Sequence, residues 1–139
     1  MLLNYAEAVN EAWGPNTVPT GYPGSAADAL KYIRMRASMS LPPVTAGTVE
    51  SFRKAVKHER QVELAFEDHR YWDLLRWRDA MDVLNKPVQG VKVTRSGDEW
   101  QYKVVDVADR TFAERNYYLP LMRSEIENAG GTLQQNPGY

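Results

Sequence analysis

Cysteine is absent from the 139 residues. That removes disulfides, a thiol nucleophile and any thiolate metal site, and it leaves the redox compartment open. No apolar run approaches the roughly 18–20 residues that cross a bilayer as a helix. The start, Met1-Leu2-Leu3-Asn4-Tyr5-Ala6-Glu7-Ala8, lacks the basic region, apolar stretch and small-residue cleavage site of a secretory signal. Surplus positive charge is missing too: 17 Lys and Arg stand against 18 Asp and Glu. Nothing therefore favours displacing counterions from a nucleic-acid backbone. Histidine is scarce. His58 and His69 form no H-E-x-x-H pattern, because Val62 stands where the second histidine would be, so zinc has no site. Gly130-Gly131 is isolated rather than part of a phosphate-cradling loop, and no G-x-S-x-G elbow occurs.

What is present is ordinary globular composition, with 43% hydrophobic and 25% charged residues. Length and composition together fit one domain around a single hydrophobic core. The pattern begins in mid-helix. Leu2, Tyr5, Ala6 and Val9, with Ala12 and Trp13, recur at helical spacing with no cap before them, which reads as a repeat helix truncated over residues 1–13. Gly14-Pro15 ends it, and a proline- and glycine-rich loop follows. Ser25 is an N-cap for a helix to about Ser38, with Ala26, Ala29, Leu30, Ile33 and Ala37 as its buried stripe. Leu41-Pro42-Pro43 blocks continuation.

Thr48 caps the next helix, from Val49 to about Glu67, whose apolar face is Phe52, Ala55, Val56, Val62 and Phe66. A break is expected near Asp68-His69, then one helix from Tyr71 to Leu84 carrying Leu74, Trp77, Met81 and Leu84, closed by Asn85-Lys86-Pro87. Residues 25–84 thus read as the helical core. From Val88 the period becomes two, and Val91-Lys92-Val93 and Trp100, Tyr102, Val104 flank a turn at Arg95-Ser96-Gly97-Asp98, a β-hairpin over residues 88–106. Residues 107–139 form a tail with a helical turn at Ser124–Asn128. The fold class is mainly α with a small hairpin.

Glu59, Glu63 and Glu67 repeat at four-residue steps along one helix side. Glu59 falls on the buried side and needs a partner, since an isolated buried charge costs several kcal/mol; Arg60, Arg70 and Arg76 are nearby in sequence. Glycosidases flank a sugar with two carboxyl groups about 5–10 Å apart. Glutamates on one helix face meet that spacing without flanking anything, so the ion-pair reading is preferred to acid–base catalysis. Among the aromatics, Trp72 and Trp77 read as core and Trp100 as a cross-strand packing residue. Trp13, Tyr22 and Trp100 are also the residues that could stack on the flat face of a sugar, and Tyr22, in a loop, is least explained by packing.

The segment Glu59-Arg60-x-x-Glu63-Leu64-Ala65-Phe66-Glu67-x-x-Arg70-Tyr71-Trp72-Asp73-Leu74-x-Arg76-Trp77 closely resembles the most characteristic stretch of the SusD/RagB family. The ending Tyr118-Leu119-Pro120-Leu121, Ser124-Glu125-Ile126 and Leu133-Gln134-Gln135-Asn136-Pro137-Gly138-Tyr139 is similar to that family's C-terminus, and residues 2–11 resemble its helical repeat just upstream. Gln61, Asp68 and Leu75 depart from the usual pattern. The resemblance implies the C-terminal region of a tetratricopeptide-containing lipoprotein on the outer membrane of a Gram-negative bacterium. Such proteins partner a TonB-dependent, SusC-like transporter and capture oligosaccharides. They are not enzymes and need no cofactor, although some members hold a metal ion. Glu59, Arg60, Glu63, Glu67, Arg70, Trp72, Asp73, Arg76 and Trp77 would then be scaffold. The alternatives are a module that docks the transporter without touching sugar, and a carboxylate-dependent glycoside hydrolase.

Overall fold

The computed structural model describes residues 1–139. They form α1 (Leu2–Trp13), α2 (Ala26–Arg34), α3 (Val49–Glu63), α4 (His69–Arg76), α5 (Ala80–Leu84), β1 (Val88–Ser96), β2 (Glu99–Ala108), a short 3-10 helix (Glu114–Tyr117) and α6 (Arg123–Asn128). The expectation of a mainly α chain with one hairpin holds. Two compact units divide the chain at residues 1–70 and 71–139. Each has its own buried cluster, so the segment 25–84, read from sequence as one helical core, contributes to both.

In the first unit two reciprocal caps fix where helices begin. The Ser25 hydroxyl accepts from the Asp28 amide at 3.1 Å, and the Asp28 carboxylate accepts from the Ser25 amide at 2.9 Å. Thr48 and Ser51 repeat the exchange at the start of α3. The α2 stripe is as expected for Ala26, Ala29, Leu30 and Ile33, all buried. Ala37 is exposed, because the helix stops at Arg34. On α1 the buried face is Leu3, Ala6, Val9 and Asn10 rather than one running through Leu2 and Tyr5, and Leu2 is exposed. Ala6 and Ala26 have no exposed surface; their small side chains let backbones approach closely. Phe52 and Val56 of α3 complete the cluster.

The far end of α3 differs from the sequence reading. The helix ends at Glu63, and Phe66 and Asp68 take left-handed φ of 65° and 58°. Phe66 consequently leaves the helical wheel and is fully exposed. Val62 is also exposed, lying about a quarter-turn off the face made by Phe52, Val56, Glu59 and Arg60. The break expected near Asp68 is real, and it falls a few residues earlier than the periodicity suggests.

The second unit packs Leu74, Ala80 and Phe112 with Leu75, Val83, Leu84 and Tyr117 around them. The expected single helix over 71–84 is two helices. Arg78 adopts φ 60°, and the Asp79 amide bonds the Leu74 carbonyl at 3.0 Å, so the chain turns before α5. The Asn85 side chain bridges to both the amide and the carbonyl of Phe112. Tyr117 lies edge-on to Phe112 at 5.0 Å, and its hydroxyl donates to the Arg78 carbonyl. The tail is pinned by side chains: Gln135 bonds both backbone groups of Leu121, Asn136 donates to the Leu119 carbonyl, and the Tyr139 hydroxyl donates to the Tyr118 carbonyl. Gly138 has φ 88°, and a Cβ there would meet the Arg115 Cβ at 2.7 Å.

The hairpin pairs β1 and β2 antiparallel with Val91 opposite Val104, Val93 opposite Tyr102 and Arg95 opposite Trp100. Gly97 takes φ 63° as the first residue of a two-residue loop, which suits the hairpin twist. No helix of the chain is long and apolar enough to cross a membrane.

Candidate functional site: an aromatic platform and a guanidinium seam

Trp13 closes α1, and Gly14, at φ 87°, turns the chain into the loop that carries Tyr22. That loop is braced rather than free. Pro15 and Pro19 are buried, the Pro15 carbonyl accepts from the Ala27 amide at 2.9 Å, and the Pro19 carbonyl accepts from the Tyr22 amide at 3.1 Å. The ring centroids of Trp13 and Tyr22 are 6.5 Å apart with planes inclined at 42°. Tyr5 supports Tyr22 from α1 at 6.1 Å, and its own hydroxyl is committed to the Gly24 carbonyl at 2.6 Å. Trp13 and Tyr22 remain 52% and 54% exposed. The loop also presents the exposed amide and hydroxyls of Asn16, Thr17 and Thr20. Two half-exposed rings on a braced backbone, with exposed polar groups in the same loop, can stack on an apolar ligand face and hydrogen-bond its edge.

The structure therefore brings Trp13 and Tyr22 together, as sequence spacing alone could not. Trp100 lies elsewhere, on β2 of the second unit. It is exposed, and its cross-strand contact is the Arg95 guanidinium, 5.6 Å from the ring centre. A cleft of about 780 Å³ also borders Tyr5, lined mainly by Leu2, Pro23, Ala29 and Tyr32. Its Ser25 and Asp28 are spent on each other as a helix cap. A hydroxyl-rich ligand would find few free polar partners there, so the platform is the better candidate.

The signature carboxylates do something else. Glu59 is 3% exposed, and its partner is Arg34 of α2, at 2.5 Å, rather than Arg60, Arg70 or Arg76. Arg34 also donates to the Pro42 carbonyl. Glu63 receives both arms of Arg36, at 2.6 and 3.0 Å. Buried Arg60 instead reaches Asn4 Oδ1 on α1 at 2.6 Å. Arg53 bonds Glu11, and the Asn10 amide donates to the Val49 carbonyl. Hydrogen bonding from Arg53, the largest influence, holds the Glu11 carboxyl below the ordinary glutamate range. Together these bonds fasten α3 to α1 on one side and to α2 on the other. Glu67 is exposed. Glu59 and Glu63 are thus each taken up by an arginine at the end of α2 or just after it.

In the second unit Asp73 is buried and accepts from Arg76 Nε at 2.8 Å. Trp77 is half-buried under the Arg76 guanidinium, 4.7 Å from the ring centre. Trp72, expected in the core, is 54% exposed and meets the ring of Tyr71 edge-on. The reason is the α4 register: Asp73 and Leu74 take the inward positions and push Trp72 outward. Arg70 is partly buried. Arg78, absent from the sequence reading, donates to Tyr118 and Glu114 and lies over the Tyr117 ring at 4.4 Å. Its only sequence signal is its place just after the signature segment.

Comparison with known proteins extends these local observations to the whole chain. Two SusD-like proteins of Formosa agariphila align with it, one 31% identical over 68% of this chain and 18% of its own length, the other 27% identical over 100% and 24%. A SusD-like protein of Bacteroides fragilis superposes with a TM-score of 0.80 at 32% identity, covering 99% of this chain and 24% of that one. A SusD-like carbohydrate binding protein of the same species gives 0.67 at 33% identity, covering 91% and 26%. The chain thus spans about a quarter or less of the length of these relatives. The SusD family model matches residues 1–139. Helix order, the seam on α3 and the pinned tail all fall inside that match, and the chain belongs to the SusD family.

Proposed function

We propose that this chain serves in the capture of oligosaccharides at the outer surface of a Gram-negative cell, within a lipoprotein that partners a TonB-dependent transporter. The observation that carries this reading is the likeness, at 33% identity over 91% of the chain, to a SusD-like carbohydrate binding protein. The Trp13–Tyr22 platform supplies a place where sugar can be held. Capture is reversible: pyranose C–H faces stack on the rings, hydroxyls bond Asn16, Thr17 and Thr20, and the ligand is then handed to the transporter without bond cleavage. The guanidinium seam keeps α1, the platform's anchor, in place.

Isothermal titration of the protein with a panel of soluble oligosaccharides tests the proposal. Saturable binding with unchanged ligand length is expected, and Trp13→Ala is expected to weaken it about tenfold, the loss of one stacking contact. A panel that gives no heat, or affinity indifferent to Trp13→Ala and Tyr22→Ala, would remove the platform. Shortened oligosaccharide, with activity lost in Glu63→Gln or Glu67→Gln, would instead reinstate hydrolysis.

A further inference from the structure

We propose that the hairpin of the second unit is a self-docking surface, on which a second copy of this chain seats face to face and end for end. The strand period puts Val91, Val93 and Arg95 on one face of β1, and the register sets Val104, Tyr102 and Trp100 against them on β2. Val91, Val93, Trp100, Tyr102 and Val104 are each between 50% and 70% exposed, and none of them belongs to the buried cluster of the unit. A lone two-stranded hairpin is marginal in water unless its apolar face is covered. The opposite face has no such need. It carries Lys92 directly across from Lys103 and Thr94 across from Gln101, and paired like charges keep that face in water.

Charge and area point to a second copy as the cover. The apolar stripe ends in Arg95 beside the turn and in Asp106 at the base of the hairpin. Arg95 lies over the Trp100 ring, and its ion-pair partner Asp98 is fully exposed, so that pair is weak. Asp106 accepts from the neutral amide of Gln89, at 3.2 Å. A two-fold axis running across the strands, between two faces about 10 Å apart, reverses one hairpin over the other. Arg95 of each copy then meets Asp106 of the other, so the charge pairing occurs twice. Between these ends Tyr102 lies over the smaller Val104, and Val93 over Val91. The five apolar side chains together with Arg95 bury on the order of 1,000 Å² across the two copies, enough for a specific though weak interface.

Sedimentation equilibrium of the protein between about 1 and 300 µM tests this, with half-association expected at roughly 10–100 µM. Val93→Lys, in the middle of the stripe, is expected to weaken association about tenfold or more by burying an unpaired charge. Arg95→Asp and Asp106→Arg are each expected to weaken it about tenfold, because like charges then meet twice, and the double variant to restore it. Lys92→Glu, on the opposite face, is expected to leave it unchanged. A chain that stays monomeric throughout would overturn the proposal, and so would association indifferent to Val93→Lys. Charge variants without effect, or a double variant that fails to restore association, would overturn the end-for-end seating. Circular dichroism of each variant matching the parent protein excludes misfolding as the cause.

Discussion

Replacing Glu59 by alanine is the most informative perturbation of the scaffold. The Glu59 side chain is 4% exposed and its partner Arg34 19%. Removing one member of a buried pair costs about 3–5 kcal/mol, because the other charge is left in a poor medium. Arg34 keeps its bond to the Pro42 carbonyl and some contact with water, which moves the expectation to about 2–4 kcal/mol. With a urea dependence of about 2 kcal/mol per molar, the unfolding midpoint should fall by about 1–2 M. Glu63→Ala is the internal control: its partner Arg36 is 46% exposed, and the loss should be about 0.5–1 kcal/mol.

A double variant separates charge burial from packing. Arg34→Met with Glu59→Leu removes both charges and keeps volume, so stability should return to within about 1 kcal/mol of the parent. Urea unfolding followed by circular dichroism, with amide exchange on α3 to read the first unit alone, supplies both numbers. If Glu59→Ala cost less than about 0.5 kcal/mol, or if the double variant were as unstable as the single one, the seam would not be a buried ion pair and the reasoning would fail.

Three further outcomes follow from the same geometry. Because the folded-state Glu11 carboxyl titrates below its ordinary range, the unfolded chain binds a proton in that window that the folded chain does not. Stability should therefore decline as pH falls through it, and Glu11→Gln should flatten that acid limb in midpoint-versus-pH curves; an unchanged slope would refute the pairing with Arg53. Gly138→Ala should lower the melting temperature more than Gly97→Ala. Both have positive φ, which costs about 1–2 kcal/mol, but only Gly138 also drives a Cβ into Arg115; equal losses would count against the pinned tail. Tyr5→Phe keeps the ring and loses the bond to Gly24; it should loosen Tyr22 and weaken oligosaccharide binding, and unchanged affinity in this variant would show that Tyr5 plays no positioning part.

Local chemistry was legible in the sequence, and long-range pairing was not. Ser25 and Thr48 could be read as caps because the exchange involves residues three apart. The Ala26, Ala29, Leu30, Ile33 stripe could be read because burial on α2 follows the helical period. Glu59 was legible as buried, but its partner lies 25 residues upstream on another helix, and only arginines near in sequence suggested themselves. Phe66 and Trp72 were misplaced for a related reason. Left-handed φ at Phe66, Asp68 and Arg78 resets the helical phase, and none of these is a glycine that would announce it. Trp13 and Tyr22 were legible as residue types suited to stacking. Their proximity depends on how the proline-braced loop folds back, which no spacing rule encodes.

The strongest sequence signal and the candidate ligand site occupy different residues, and the division has a physical reason. Glu59, Arg60, Glu63 and Asp73 are charged groups in buried or half-buried positions. Each needs a partner at a fixed distance, so a change at one strands another; Glu59, Arg60 and Glu63 tie α3 to α2, α1 and the turn after α2, and Asp73 holds Arg76 within α4. Trp13 and Tyr22 are bound by no such reciprocity of charge: they are half-exposed, and their contacts are ring against ring, with each other and with Tyr5. A ring there can be exchanged for another side chain without unfolding α1 or α3. On the platform reading, the seam serves the packing of the helices while ligand preference resides in what the loop between α1 and α2 presents. Exchanging the exposed side chains of the 14–24 loop, with Pro15, Pro19 and Gly24 kept, should on that reading change glycan preference with little change in stability, whereas substitutions in the seam should do the reverse.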